Sequence, residues 1–303
     1  MREPPTREQL RGALIQVEGD IRWREPLAPL TSLQVGGLAD VLVTPAHVED
    51  VLQIVRGART GKIPLTVLGG TNVVVRDKGI RGIVMSFKQL ANIFEETPNV
   101  VYTEAGVRLP RLMQFALGRK LSGMEWAAGI PGTVGGGVAM NAGTRLGEMQ
   151  DVLKAVDFVT IHGRRKRIEA ATLTFLYRKT MLPKGIVVGA WLQLTAALKD
   201  AIQSVTKDYL HYRKTTQPLS MPNAGSVFKN PHGDSAGRLI EAAGLKGLRI
   251  GDAEVSLKHA NFIVNKGSAS AEQVLSLVRK VREKVARKFG VRLQLEWKVI
   301  GEK

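Results

Sequence analysis

The stretch Trp126–Thr144, "WAAGIPGTVGGGVAMNAGT", restricts this chain more than any other. It carries no charge and is about as long as a membrane span. Six glycines and Pro131 argue against a membrane helix, since each glycine and proline inside a helix costs free energy relative to alanine. A flexible linker suits it no better, because Ile130, Val134, Val138 and Met140 are poor linker residues. What remains is a backbone that lies flat against a large planar ligand, with glycine where a Cβ would intrude.

Composition narrows what that ligand belongs to. The 303 residues leave room for about two domains. An apolar content of 44% is enough for sizeable cores. Lysine and arginine outnumber acids 44 to 27, a net charge of +17, which favours anionic partners. Nucleic acid is not the expected one: aromatics are 5% and do not interleave with basic residues. The longest basic cluster is only "GRRKR", 163–167. A phosphorylated small molecule fits the charge better. There is no cysteine, which excludes disulfides, zinc fingers, iron–sulfur clusters and thiol catalysis. His47, His162, His211, His232 and His259 are scattered without metal-ligand spacing, so no metal is expected. Glu3, Pro4, Pro5 and Glu8 are unlike a signal peptide. The expectation is a cytoplasmic protein with no membrane segment.

Along the chain, "REQLRGALIQV" reads as a short amphipathic helix. The runs "ADVLVTP", "IPLTVLGG", "RGIVMSF" and "NVVYTEAGV" read as strands, with helices at 47–61 and 110–121 between them. "LKAVDFVTI" and "GIVVGAWLQLT" are further strands. A helix over 199–218 stops at a proline and marks a boundary. Beyond it come the helix "SAGRLIEAAG" and the strand "HANFIVNKG". A long helix follows, opening on a capping box, Ser270 with Gln273, and closed by Gly290. "RLQLEWKVIG" is a final strand. The fold class is α+β.

Two further glycine-rich corners join the first stretch. In "LGGTNVVVRDKGIRG" (68–82), Gly69, Gly70, Thr71 and Asn72 offer backbone N–H groups beside a hydroxyl, as a pyrophosphate requires. A β-turn with an asparagine cap is an equally good reading. "VGGLADVLVTP" (35–45) is a Gly-Gly corner entering a strand. No Gly-Lys-Ser/Thr and no G-x-G-x-x-G occurs in these stretches, so neither a P-loop nor a Rossmann nucleotide fold is indicated. In "PNAGSVFKNP" (222–231), Ser226 lies between Gly225 and the run Val227, Phe228, Lys229. It is either turn filler or a proton donor.

Taken in order, "VGGLADVLVTP", "LGGTNVVVRDKGIRG", "AGIPGTVGGGVAMNAG", "FLYRKT", "NAGSVFKNP", "HANFIVNKGSASAEQV" and "LQLEWKVIG" resemble the successive motifs of the UDP-N-acetylenolpyruvoylglucosamine reductase family, MurB. The resemblance spans about residues 30–301. It implies a lead-in over 1–30 and a two-subdomain FAD-binding domain of the vanillyl-alcohol-oxidase (PCMH) type over 31–198, divided near 95. A UDP-sugar-binding α+β domain would follow over 199–303. It implies noncovalent FAD held by Gly69, Gly70, Thr71, Asn72, Gly129, Ile130, Pro131, Gly132, Thr133, Gly135, Gly136, Asn141, Ala142 and Gly143. NADPH would be the reductant and the enolpyruvyl ether of UDP-N-acetylglucosamine the substrate, contacted by Tyr177, Arg213, Asn223, Lys229 and Asn230. No nucleic-acid or membrane partner is implied, and the expected state is a monomer.

The same resemblance assigns catalysis to Arg178, Ser226 and Glu296. The chemistry suits these residue types. Hydride arriving at the β carbon pushes charge toward the carboxylate, which a fixed guanidinium can meet. A weak acid must then protonate the α carbon. By resemblance that acid is Ser226, helped by a nearby cation, Lys229 or Arg213, with Glu296 orienting or protonating around the intermediate. Taken alone, Arg178 or Glu296 reads more readily as half of an ion pair at a strand end. Three positions depart from the family pattern. Thr180 replaces a usual serine, and Thr144 and Arg145 stand where a small residue and an aromatic are common. The short span between Tyr177 and "NAGS" points to the form without the substrate-covering loop insertion. The alternative enzyme is another FAD-dependent oxidoreductase on the same scaffold. That group often tethers its flavin through His or Cys, and the glycine-rich stretches hold neither.

Overall fold

The computed structural model describes residues 3–303. They form two compact units that are not continuous in sequence. The first takes the chain up to Trp23, then Asp40–Gly69 and Gly82–His211; the second takes Arg24–Ala39, Gly70–Arg81 and Tyr212–Lys303. The division thus falls inside a helix that begins at Lys199. Two early stretches, 24–39 and 70–81, pack with the C-terminal residues. The reason is non-local. Val73–Val75 pairs in parallel with Lys298–Ile300, and Leu33, Val35 and Val74 join the second unit's core.

The first unit has two hydrophobic cores. Helix α1 (Arg7–Gly12) opens on a capping box, Thr6 with Gln9, and is shorter than the expected "REQLRGALIQV" because it stops at Gly12. Four strands form a sheet in the order Asp20–Trp23, Ala39–Thr44, Ile80–Met85, Leu65–Val67. Helix α2 (Val48–Thr60) buries Val51, Ile54 and Val55 in the same core as Val41, Val43 and Ile83. Asp50, in its first turn, is fully buried. Its carboxylate accepts from the backbone N–H groups of Glu18 (2.9 Å), Gly19 (3.0 Å) and Ala46 (2.8 Å).

The second core lies on a five-stranded antiparallel sheet in the order Arg165–Glu169, Leu153–Thr160, Gly185–Gln193, Val100–Glu104, Ile93–Thr97. Helices α3 (Leu109–Gly118) and α4 (Val134–Met140) contribute to it. The basic cluster "GRRKR" supplies the edge strand. Arg165 pairs with buried Asp157 at 2.6 Å, and Arg167 lies over the Trp191 ring at 4.3 Å. These charges blunt an exposed edge and give part of the surplus a structural use. The division between units falls within α5 (Lys199–Thr216).

The second unit contains a sheet in the order Asn223–Ser226, Phe262–Asn265, Ala253–Val255, Arg249–Ile250. Helices α6 (Ala236–Ala242) and α7 (Ala271–Phe289) share its core. The Ser270–Gln273 capping box is formed, Gly290 caps the helix at φ +70°, and Val274, Val278, Val281 and Val285 are buried. The final strand covers only Lys298–Ile300, because residues 294–296 pair elsewhere.

His259 is half-buried beside Phe262, ring centroids 4.9 Å apart, and its Nδ1 accepts the Asn261 N–H. Burial lowers its pKa, so the folded state keeps the ring neutral. The unfolded chain therefore takes up this proton first, near pH 6.5, as the pH falls. Relative to His259→Gln, the wild type should lose stability below that pH. Urea unfolding at pH 7 and pH 5 measures it, and parallel losses in both proteins would contradict this account.

Candidate active site

The glycine-rich stretch is not flat throughout. Gly129 (φ +71°) and Gly132 (φ +138°) turn the chain, and Thr133 caps α4. Asn141 ends the helix in the left-handed region at φ +42°. Asn141 is buried, and its Oδ1 accepts the Gln150 N–H at 3.0 Å. Ile130 and Ala142 pack against the second core.

The glycines at 135, 136 and 137 have different tasks. A Cβ on Gly135 would sit 2.8 Å from Ala105 Cβ, and one on Gly137 would sit 2.9 Å from Met149 Cε. Both are packing glycines. Gly136 is exposed, and a Cβ there would meet nothing nearer than Thr133 Oγ1 at 3.7 Å. Gly69 is also exposed, with nothing within 4 Å of its ideal Cβ. Protein packing explains neither residue, and surface kept free of side chains is what a large flat cofactor such as FAD needs.

Arg178 and Tyr177 form the two-residue turn of a hairpin, Phe175–Leu176 with Lys179–Thr180. Arg178 adopts φ +59°, which is unfavourable for a residue with a Cβ. Its guanidinium lies 5.1 Å from the Tyr177 ring centroid and donates to the Gly143 carbonyl at 2.8 Å. The Thr180 hydroxyl donates to the Val138 carbonyl. The hairpin is thereby tied to α4 and to the stretch just after it. Of the family departures, Thr144 donates to the Trp126 carbonyl at 3.3 Å. Arg145 lies over Tyr209, 5.7 Å from its ring centroid.

In the second unit, Gly70 (φ +76°) passes close to Leu30, and Asn72 is left-handed at φ +54°. The Asn72 carbonyl accepts the Lys298 N–H at 3.0 Å, and its side-chain amide reaches the Glu296 carbonyl at 3.4 Å. The Gly-Gly-Thr-Asn corner thus holds the segment that carries Glu296. The Glu296 N–H donates to the Val227 carbonyl at 2.9 Å, next to the Phe228–Leu295 bridge. Ser226 and Glu296, distant in sequence, therefore lie on paired neighbouring segments.

The Ser226 hydroxyl makes no hydrogen bond among the described residues, and the Lys229 ammonium has no ion pair among them. Gly225 before Ser226 takes φ +77°, with open space at its ideal Cβ. Other expected contacts divide. Asn223 donates both amide hydrogens, to the Pro218 and Met221 carbonyls, and accepts the Gly225 N–H. Its side chain thus shapes the loop. Asn230 is exposed and accepts the Ala236 N–H at 3.1 Å. Arg213 is buried and donates to Gln217.

Residues 39–169 match the family described as "FAD binding domain", and residues 217–300 match "UDP-N-acetylenolpyruvoylglucosamine reductase, C-terminal domain". UDP-N-acetylenolpyruvoylglucosamine reductase 2 of Symbiobacterium thermophilum is 45% identical over 301 residues, 98% of this chain and 97% of that one. The chain belongs to the MurB family. A reductase of Moorella thermoacetica is 46% identical, with 92% of each chain covered. The crystal structure of MurB from Thermus caldophilus superposes with a TM-score of 0.81 at 40% identity, covering 94% of this chain and 99% of that one.

Gly136 gives a MurB test independent of activity. Gly136→Val should fold and fail to retain FAD, since its side chain points into space the protein does not use. Gly137→Val should instead lose roughly 1–3 kcal/mol through overpacking. Flavin absorbance per protein and urea midpoints of the apoproteins separate the two. Full FAD occupancy in Gly136→Val would place the cofactor elsewhere.

Proposed function

We infer that this chain is an NADPH-dependent UDP-N-acetylmuramate dehydrogenase. It reduces UDP-N-acetylenolpyruvoylglucosamine to UDP-N-acetylmuramate, a peptidoglycan precursor. The observation that carries this reading is the backbone pairing of the segment after Ser226 with the segment that ends at Glu296, with the Ser226 hydroxyl unused by the protein.

FAD, when bound, carries the hydride from NADPH to the β carbon of the enolpyruvyl group. The residues of 69–72 and 129–143 would hold it, with Gly69 and Gly136 leaving it room. As the β carbon gains hydride, negative charge develops on the α carbon and its carboxylate. The Arg178 guanidinium stabilises that charge. Its stacking on Tyr177 and its bond to Gly143 limit the orientations it can take. Ser226 gives its hydroxyl proton to the α carbon and recovers one from solvent. Neutral serine is a weak acid, so its alkoxide needs a cation, and Lys229 is three residues along the same segment. Glu296 orients the groups around the intermediate. The net change adds H⁻ and H⁺ across the double bond and turns NADPH into NADP⁺. The +17 charge suits the phosphates of both substrates. This reading takes the protein as a monomer acting in the cytoplasm.

The test is spectroscopic. The purified protein should be yellow, with a flavin released by acid. Under anaerobic conditions NADPH should bleach it, and the enolpyruvyl sugar should restore the colour. A colourless protein indifferent to FAD, or a reduced flavin that the sugar leaves unchanged, would overturn the reading.

A further inference from the structure

Ser226 and Glu296 keep a fixed relation only if the register between segments 226–229 and 294–296 is fixed. On one edge of segment 226–229 the contacts are regular. Val227 accepts from Glu296, Phe228 bridges Leu295, and the Lys229 N–H donates to the Gln294 carbonyl at 2.9 Å. On the other edge, ordinary strand pairing ends at Ser226 opposite Phe262. Beyond that point one residue, Asn261, takes over. Its carbonyl accepts the Val227 N–H at 2.9 Å. Its side-chain Oδ1 accepts the Phe228 N–H at 3.0 Å, and its Nδ2 donates to the Phe228 carbonyl at 2.8 Å.

A single side chain thus does for Phe228 what a peptide of an adjacent strand would do. Only a primary amide offers one donor and one acceptor side by side at this reach. Asp would turn a carboxylate oxygen toward the Phe228 carbonyl, and Leu would orphan both backbone groups. Asn261 is 3% exposed and Phe228 is 1% exposed, so nothing from solvent can substitute. Burying an amide among Val227, Phe228 and Ile263 costs free energy that an apolar core would not. What the amide adds is a single register.

We propose that Asn261 is a positioning residue for proton delivery: by pairing with the backbone of Phe228 it fixes segment 226–228 against 294–296, so that the Ser226 hydroxyl and the Glu296 carboxylate are held in one arrangement. The inference rests on the roles given above to those two residues.

A double-mutant cycle on the flavin-loaded enzyme tests it, with the two half-reactions followed separately by anaerobic stopped flow. Asn261→Ser should leave flavin reduction by NADPH within about twofold of wild type. It should slow reoxidation by the enolpyruvyl sugar by roughly 10²-fold, the scale of a small misplacement of reacting groups. The loss should appear in the limiting rate, with half-saturation changed little. In a Ser226→Ala background the same change should cost less than about threefold, because the group being positioned is gone. If Asn261→Ser does not fold, Asn261→Asp keeps the shape and carries the same cycle. A factor equal in both backgrounds would overturn the inference, as would wild-type reoxidation in either Asn261 variant. A normal rate in Ser226→Ala alone would instead mark the failure of the Ser226 assignment, and this inference would fall with it.

Discussion

Ser226→Ala should bleach with NADPH at a near-normal rate and then reoxidise roughly 10²–10⁴-fold more slowly with the enolpyruvyl sugar, the loss typical of a missing general acid. Reduction of the flavin needs no acid at the substrate's α carbon, so the two half-reactions separate the chemistry from any general damage. The structure sharpens the expectation. A serine that only shapes a turn usually spends its hydroxyl on nearby backbone. Ser226 does not, so alanine should change stability by less than about 0.5 kcal/mol. Ser226→Cys keeps a donor of lower pKa and should retain more activity than alanine despite the larger sulfur. An alanine enzyme that reoxidises at the wild-type rate would reduce Ser226 to a turn residue.

What was legible in the sequence, and what was not, follows the range of the interactions. Helix α7 has a local code, with a capping box, valines at helical spacing and a terminal glycine, and it forms as read. The β-branched runs at 39–44, 100–104 and 185–193 also announce themselves locally. "VVV" at 73–75 follows the Gly-Gly-Thr-Asn corner and received no strand assignment from the sequence. It is a strand, because Lys298–Ile300 lies beside it, and no local period encodes a partner more than 200 residues away. "GRRKR" stands out in the sequence only as the longest basic cluster, yet the strand it enters is held by Asp157 and Trp191 from other strands. Helix α4 was hidden by its own glycines, two of which are demanded by Ala105 and Met149. Asp50 and Asn261 are ordinary polar residues in the sequence. Their importance lies in which backbone groups would otherwise be orphaned, and only the folded chain shows that.

Arg178 should show activity and stability moving in opposite directions. Its side chain suits the developing charge, but its backbone sits at φ +59°, where an L-residue pays about 1–2 kcal/mol and glycine pays little. Arg178→Ala should slow reoxidation by the enolpyruvyl sugar by roughly 10²–10³-fold, as when one preorganised donor is removed, while keeping the strained backbone. Arg178→Gly should be as slow as alanine yet more stable than it, by about 1 kcal/mol. Arg178→Lys keeps the charge but lacks the fork, so it should fall between alanine and wild type. Reduction by NADPH should change little in all three. Stopped-flow reoxidation and urea midpoints, read side by side, test the pair of expectations. If the glycine variant were both the more stable and as fast as wild type, the strained turn would have no catalytic purpose. If it were slow and no more stable than alanine, the left-handed backbone would not be a source of strain. Slow reoxidation together with the higher stability would mean that this turn holds an unfavourable conformation at a position the reaction depends on, the pattern expected where strain is retained for function.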